Sequence, residues 1–293
     1  MIGRLEFEFG GNAATSVVKP AGAVLGALVL PDDDGYKFSI SGSCFANCPN
    51  LTSITPFLPR SCDKLGRDTF SFLPALAETD LYFYGSDFGS DEGCWGIVQN
   101  DTSITNADLS ASTITVLRRD CFKNCTGLAV VKLPPTIQEF GAPHNNDGMY
   151  NRSPFVDVGG VKLIFTGGSL PEMTCNDGNV SAIEFTTPVS ALPDNAFYSY
   201  FNPYGETLLT SITFVGAPPA TIGENVFSGA NGGFVKESVT VNVPVEYISQ
   251  WREIADDKVL TKESGGTWTS GTTQLINVYG EVEAKKGFML IVR

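Results

Sequence analysis

Short runs in which apolar residues alternate with other residues recur along the chain, and most of them end close to a turn-forming residue. An alternation of period two is typical of a β-strand with one buried face. Successive runs begin about 27 residues apart on average, which is the period of a solenoid built from stacked repeats. The pattern predicts eight strands of one stacked column: Ile54–Pro56, Leu81–Phe83, Ile104–Asn106, Val131–Leu133, Leu163–Phe165, Ile183–Phe185, Ile212–Phe214 and Val241–Val243.

The segments between these runs also repeat. The stretch SCFANCPNLTSI at 43–54 returns as DCFKNCTGLAVV at 120–131, with two Cys, a Phe, an Asn and a Leu in the same spacing. One such unit cannot bury its apolar edge alone, so units must stack strand over strand, with aromatic and Leu side chains between them. The predicted aromatic positions are Phe45, Phe70, Phe122, Phe197 and Phe227, and the predicted Leu positions are Leu51, Leu76, Leu128 and Leu208.

Four of these stretches resemble the BspA-like class of leucine-rich repeats: CFANCPNLTSI, CFKNCTGLAVVKLPPTIQEFG, IGENVF and the closing VTVNVPVEYISQW at 239–251. The resemblance covers roughly residues 39–255 and departs from the pattern in insertions at 86–101 and 141–160. It implies a binding or adhesion scaffold of the kind found on microbial surfaces and in some phage virion proteins. It implies no catalysis.

The predicted fold is therefore a β-rich leucine-rich-repeat solenoid of about 7–8 irregular rungs, with minor helical content and non-repeat terminal caps. Residues 1–38 are expected to form an N-terminal cap or anchoring segment. Residues 39–255 are expected to form the solenoid, and residues 256–293 a C-terminal β cap that protects an open sheet edge.

Alternation also predicts which side chains face outward. The outward column is expected to contain Thr55, Tyr82, Thr105, Lys132, Ile164, Glu184, Thr213 and Asn242. Exposed aromatic residues are enriched at interfaces, and the predicted binding surface consists of Phe57, Tyr82, Tyr84, Lys132, Ile164 and Glu184. An equally weighted alternative is that a neighbouring loop, such as the 86–101 insertion with Trp95, covers these aromatic side chains.

The sequence gives less support for a catalytic or a metal-binding site than for a binding surface. A glycosidase needs two carboxyl groups about 5–9.5 Å apart, whereas the predicted column contains only Glu184 and its neighbouring column only Asp80; carboxylates on loops stay open. The pairs Cys44/Cys48 and Cys121/Cys125 have a spacing that zinc ligands can adopt, but they occupy repeat positions beside the core Phe, which favours packing. The single histidine, His144, lies in a turn-rich insertion and is expected at the surface. No cofactor and no metal are predicted.

The net charge of the chain limits the classes of partner that it is expected to bind. With 32 acidic and 19 basic residues the chain has a formal net charge of -13, which repels phosphate backbones and anionic lipid surfaces. No nucleic acid and no membrane insertion are expected, because the longest apolar stretch is about half of the ~20 residues that a span requires. The expected partner is a protein or a cell-surface glycan, and a homo-oligomer stays open.

The first residues do not resemble a signal peptide, so a virion or cytoplasmic location is expected, with the cell surface as the alternative. The preferred function is a non-enzymatic phage virion accessory, such as a head or tail fibre, a decoration protein or a receptor-binding component. A bacterial cell-surface adhesin is the alternative, and a carbohydrate-active enzyme is a third interpretation.

Overall fold

The computed structural model of the 293-residue chain is a solenoid of short parallel strands, and one turn of the solenoid is called a coil. It describes residues 3–6, 16–17, 24–30, 37–40, 42–55, 60–77, 79–89, 96–141, 153–171, 174, 179–194, 196–197, 208–223, 226, 240–247, 249–251 and 276–279. These residues confirm the predicted β-rich solenoid.

The first side of the solenoid is a column of parallel strands, which is named the first column. It consists of a three-stranded sheet with β1 (Gly3–Glu6), β3 (Leu25–Val29) and β5 (Ser53–Thr55), and an eight-stranded sheet with β7 (Asp80–Tyr82), β9 (Asn106–Asp108), β11 (Val130–Leu133), β13 (Val161–Phe165), β14 (Val180–Phe185), β16 (Ser211–Thr213), β18 (Thr240–Pro244) and β19 (Ile276–Tyr279). A backbone hydrogen bond from Ala77 N–H to Thr52 O, 3.1 Å long, links the coil of β7 to the coil of β5.

The second side carries shorter parallel strands. They are β2 (Ser16–Val17), β4 (Phe38–Ile40), β6 (Cys62–Leu65) and β8 (Asp87–Phe88) in one sheet, β10 (Val116–Leu117) and β12 (Glu139–Phe140) in another, and β15 (Ala191–Leu192) and β17 (Thr221–Ile222) in a third. Helical structure among the described residues is limited to the 3-10 helix Val245–Tyr247 and a helical segment at 249–251.

Among the described residues the third side has no strands, and backbone hydrogen bonds still join its coils. Asn47 N–H donates to Ser71 O, Phe72 N–H to Gln99 O and Asn100 N–H to Lys123 O, at 2.8–3.0 Å. This side is named the turn ladder. Because the turns bond to one another directly, the backbone polar groups of the coil are satisfied where no sheet forms.

Aromatic rings fill the space between coils. Phe45 stacks on Phe70 with 5.7 Å between ring centroids, and Phe122 lies 5.9 Å from both Phe88 and Phe155. Phe140 joins Phe155 to Phe165, and the series continues through Phe185 and Phe214 to Trp251. Phe45, Phe70, Phe122 and Phe197 are buried as predicted, whereas Phe227 lies outside the described residues.

Two sequence predictions are wrong in register. The third predicted strand is displaced by two residues: it is β9, Asn106–Asp108, and not Ile104–Asn106. Ile104 instead takes the core position that Leu51 and Leu128 occupy in other coils, and the small Ala107 points inward from β9. Leu208 is 42% exposed, and its neighbour Leu209 is the buried residue, three positions before the inward Ile212.

Parallel pairing extends into both flanking segments. In the predicted N-terminal segment β1 pairs with β3, and β3 pairs with β5. In the predicted C-terminal segment β19 pairs with β18. These strands continue the first column at both ends, while the boundaries at 38/39 and 255/256 stay predictions.

Candidate binding surface

The outward side of the eight-stranded sheet is named the strand face. Strand pairing aligns one outward residue from each successive strand β7 to β18, and this central column contains Tyr82, Asp108, Lys132, Ile164, Glu184, Thr213 and Asn242. The residues that alternate with them are buried in the core, and Leu81, Val131 and Ile183 are at most 1% exposed. Alternation along each strand therefore separates a dry inner side from an accessible outer side.

The corrected register of β9 changes the chemistry of this face. Asp108 takes the place that the sequence assigned to Thr105, and Asn106 lies in the neighbouring column, where it pairs with Asp80. Asp108 then lies between Tyr82 and Lys132. An Asp in the central column was missed because Ala107 gives no apolar signal for an inward position.

Polar side chains of neighbouring coils are joined across the strand face. Lys132 Nζ lies 3.5 Å from Asp108 Oδ2, and Lys162 Nζ lies 2.5 Å from Glu184 Oε2. Asn106 Nδ2 donates to Asp80 Oδ1 at 2.7 Å. Such exposed ion pairs contribute at most about 1 kcal/mol to folding, so they arrange charge on the surface and add little to stability.

The structure brings four of the six predicted surface residues together. Tyr82, Lys132, Ile164 and Glu184 share the central column, and Tyr82 is 45% exposed. The interpretation that a loop covers the aromatic side chains is thus wrong for Tyr82. Tyr84 is half-buried beyond the end of β7, with the Arg60 guanidinium 5.7 Å from its ring centroid. Phe57 lies outside the described residues.

The carboxylates of the strand face are arranged as surface groups. Asp80 is exposed and accepts hydrogen bonds from Asn106 and Thr79. Asp108 accepts from the backbone and the hydroxyl of Ser110 and pairs with Lys132. Both carboxylates therefore take part in local hydrogen bonds and, for Asp108, in an ion pair on the surface.

The described cysteines pack in the core. Cys44, Cys48, Cys62, Cys121 and Cys125 are all buried and form no disulfide. Desolvation by burial raises the pKa of the Cys62 and Cys125 thiols to about 12, so both groups are neutral at physiological pH, and a neutral thiol is a poor nucleophile and metal ligand. Among the described residues no cluster of His, Cys, Asp or Glu is suited to a metal ion, and His144 lies outside them.

A depression of about 240 Å³ lies on the second side, where β8 and β10 are not paired. Lys64, Asp87 and Arg118 line it together with short polar and apolar side chains. It is separate from the strand face.

Within the described part of the chain, no helix has the length and apolar character to cross a membrane.

A comparison with protein families agrees with the repeat architecture. Residues 38–143, about a third of the chain, match the family model of the BspA type leucine rich repeat region in six copies. The curated proteins include no match. Among solved structures, a leucine rich cell surface protein from Faecalibacterium prausnitzii A2-165 is 14% identical, with 97% of this chain and 89% of that chain covered and a TM-score of 0.21.

Proposed function

We propose that the protein is a non-enzymatic repeat scaffold that binds a protein or a surface glycan through its strand face. The observation that carries the proposal is the central column: outward side chains from seven consecutive strands are in register and accessible. The match of residues 38–143 to a leucine-rich-repeat model supports a binding scaffold. Stacked repeats form extended surfaces of this kind because each coil adds one more row of side chains.

The chemistry of the face suits a partner of mixed character. Tyr82 and Ile164 offer apolar contact area, and Tyr is enriched among the residues that dominate binding energy. Between them lie the charged pairs of Asp108 with Lys132 and of Lys162 with Glu184. Groups of both signs in a fixed order select a partner by charge complementarity more than they raise its affinity.

The test uses the full chain and a matched pair of double variants. The face variant combines Tyr82→Ser with Ile164→Ser. The control variant combines Val24→Ser with Val215→Ser, since both valines are exposed but lie outside the central column. The labelled proteins are applied to a printed panel of extracellular proteins and cell-surface glycans.

For each panel protein or glycan that the natural chain binds, the apparent affinity of the face variant is expected to be at least about tenfold lower. The reason is that truncation of a central apolar anchor costs about 1–2 kcal/mol or more. The control variant should bind like the natural chain. Equal binding by the face variant and the control would overturn the proposal. Circular dichroism of both variants verifies that the fold is kept.

We further propose that the protein acts as a phage virion accessory, with a bacterial cell-surface adhesin as the alternative. Quantitative mass spectrometry of purified virions and of cell-envelope fractions from the source separates them. A fixed copy number per virion supports the first setting, and enrichment in the envelope supports the second. Turnover of a carbohydrate substrate that stops when Asp80 and Asp108 are replaced would contradict a non-enzymatic role.

A further inference from the structure

One position of the turn ladder has a left-handed backbone in five coils. The residues there are Asn47, Phe72, Asn100, Asn124 and Asp157, with φ angles between 55° and 64°. Asn and Asp tolerate this conformation because their short polar side chains bond locally, whereas a bulky side chain in it is an outlier. Phe72 is therefore the exception in a column of Asn and Asp.

Phe72 also gains little from burial. Its side chain is 44% exposed, while the next residue, Leu73, is 1% exposed in the core. The ring thus meets two unfavourable conditions, a strained backbone and contact with water. Strain of this kind concentrates at functional sites, where the surrounding structure holds it in place.

The turn that carries Phe72 is held from several directions. The backbone N–H of Phe72 donates to Gln99 O at 3.0 Å. The side chains of Gln99 and Ser71 both donate to Asp68 Oδ1, at the start of the same turn. Because these bonds join two coils, the ring is presented on a fixed backbone and little conformational freedom is lost when a ligand binds.

The neighbours of the ring along the ladder are carboxamides. Asn47 lies one coil before Phe72 and is exposed, and Asn100 lies one coil after it and is half-buried. Asn100 Oδ1 accepts a hydrogen bond from Asn124 Nδ2 at 2.8 Å, which fixes the orientation of the Asn100 amide. With coils spaced by roughly 4.8 Å, both amides are within reach of a small ligand that rests on the ring.

These residues fit a neutral sugar better than a protein. The ladder position is uncharged at 47, 72, 100 and 124, and its one acidic residue among the five coils, Asp157, lies two coils beyond Asn100, although the chain carries a net charge of -13. The other large apolar side chains that are exposed among the described residues are Val24, Tyr82, Leu208 and Val215, and none of them lies on the turn ladder. The core of a protein interface is formed by several clustered apolar residues, whereas a pyranose offers one apolar C–H face rimmed by hydroxyl groups.

We propose that Phe72, Asn47 and Asn100 form a carbohydrate subsite on the turn ladder. The aromatic ring stacks on the C–H face of a neutral pyranose, and the two carboxamides bond its hydroxyl groups. The subsite is on a different side of the coil from the central column, so it goes beyond the proposed function and can fail or hold independently of it.

The test is a glycan array of immobilised neutral oligosaccharides, probed with the labelled full chain and followed by calorimetric titration of the retained sugars. Phe72→Asn places in this coil the residue that three other coils have at the same position. It is expected to weaken sugar binding at least tenfold and, because the strain is relieved, to keep or raise the thermal midpoint by about 1–4 °C. Phe72→Tyr should retain binding. Val215→Ser, which lies outside both the turn ladder and the central column, should leave it unchanged, and Tyr82→Asn tests the strand face separately.

Three outcomes would overturn the subsite: the natural chain retains no neutral oligosaccharide, Phe72→Asn binds as tightly as the natural chain, or Phe72→Asn lowers the thermal midpoint, which would make the ring a structural element. If binding depends on Tyr82 and not on Phe72, the strand face is the glycan site and the subsite is wrong. If it depends on Phe72 alone, the subsite stands and the strand face must be tested with protein partners.

Discussion

Asp101 is a carboxyl group in a position that other coils fill with apolar residues. It directly follows the left-handed residue of the turn ladder, where the neighbouring coils have Leu73 and Cys125, and it is 1% exposed. Neither carboxyl oxygen forms a hydrogen bond of normal geometry. Desolvation by burial raises the pKa of Asp101 to about 8, and the backbone of Leu73 offsets only part of that effect.

The raised pKa makes stability depend on pH in a defined direction. Between about pH 4 and pH 8 the folded chain keeps the proton on Asp101, whereas the unfolded chain has released it. The unfolded state then binds fewer protons, so the free energy of unfolding falls as the pH rises through this window, by about 1.4 kcal/mol per pH unit from this group. The total loss is on the order of 5 kcal/mol and is complete above about pH 8.

Asp101→Asn removes the titration with little change of shape. Urea unfolding of both proteins from pH 4.5 to pH 8.5 should show similar stability at the acidic end. The variant should become progressively more stable than the natural chain as the pH rises. Other titrating groups cancel in the difference between the two curves, so the difference reports Asp101 alone.

A second variant, Asp101→Leu, copies Leu73 of the preceding coil and guards against a cost from the buried amide of Asn. It should also remove the pH-dependent difference. Parallel stability curves for the natural chain and both variants across the whole range would refute the reasoning, because they would show that Asp101 does not keep its proton in the folded state.

Four further predictions concern packing and surface chemistry. Phe122→Ala should lower the free energy of unfolding by about 3–5 kcal/mol, since the ring is fully buried between Phe88 and Phe155; a loss below 1 kcal/mol in urea unfolding would contradict the stacked core. Gly127→Ala should be strongly destabilising because a Cβ would overlap Thr102 O, whereas Gly159→Ala, with its nearest contact 3.7 Å away at Thr126 O, should be tolerated; equal thermal midpoints would show that the coils are not so closely packed. Lys162→Ala should cost less than about 1 kcal/mol because its pair with Glu184 is partly exposed, and a larger loss, or one that high salt does not reduce, would make the pair structural. Cys62 and Cys125 should react with a thiol reagent at pH 8 only after denaturation, since burial raises the pKa of both to about 12; rapid labelling of the native chain, mapped by mass spectrometry, would place them at the surface.

Local patterns in the chain were enough to predict the stacked coil and most of the strand face. Where an inward apolar residue alternates with an outward one, as at Val131 and Lys132 or at Ile183 and Glu184, the strand and its outer side chain were assigned as the structure has them. The buried Phe and Cys positions followed from the repeated spacing. These features depend on residues that are close in sequence, because side chains on a strand alternate by geometry alone.

Other features depended on contacts between coils. The sequence places Ile104 and Leu208 in apolar patterns, but only packing against the neighbouring coils makes Ile104 a core residue between strands and leaves Leu208 exposed beside the buried Leu209. The left-handed column from Asn47 to Asp157 is set by backbone hydrogen bonds from one turn to the next, and these bonds also hold the exposed ring of Phe72. The burial of Asp101 follows from the same stacking. The sequence by itself determined that the chain coils and which side of most strands faces outward, whereas the register between coils was decided by tertiary packing, because residues about 27 positions apart meet only when whole units stack.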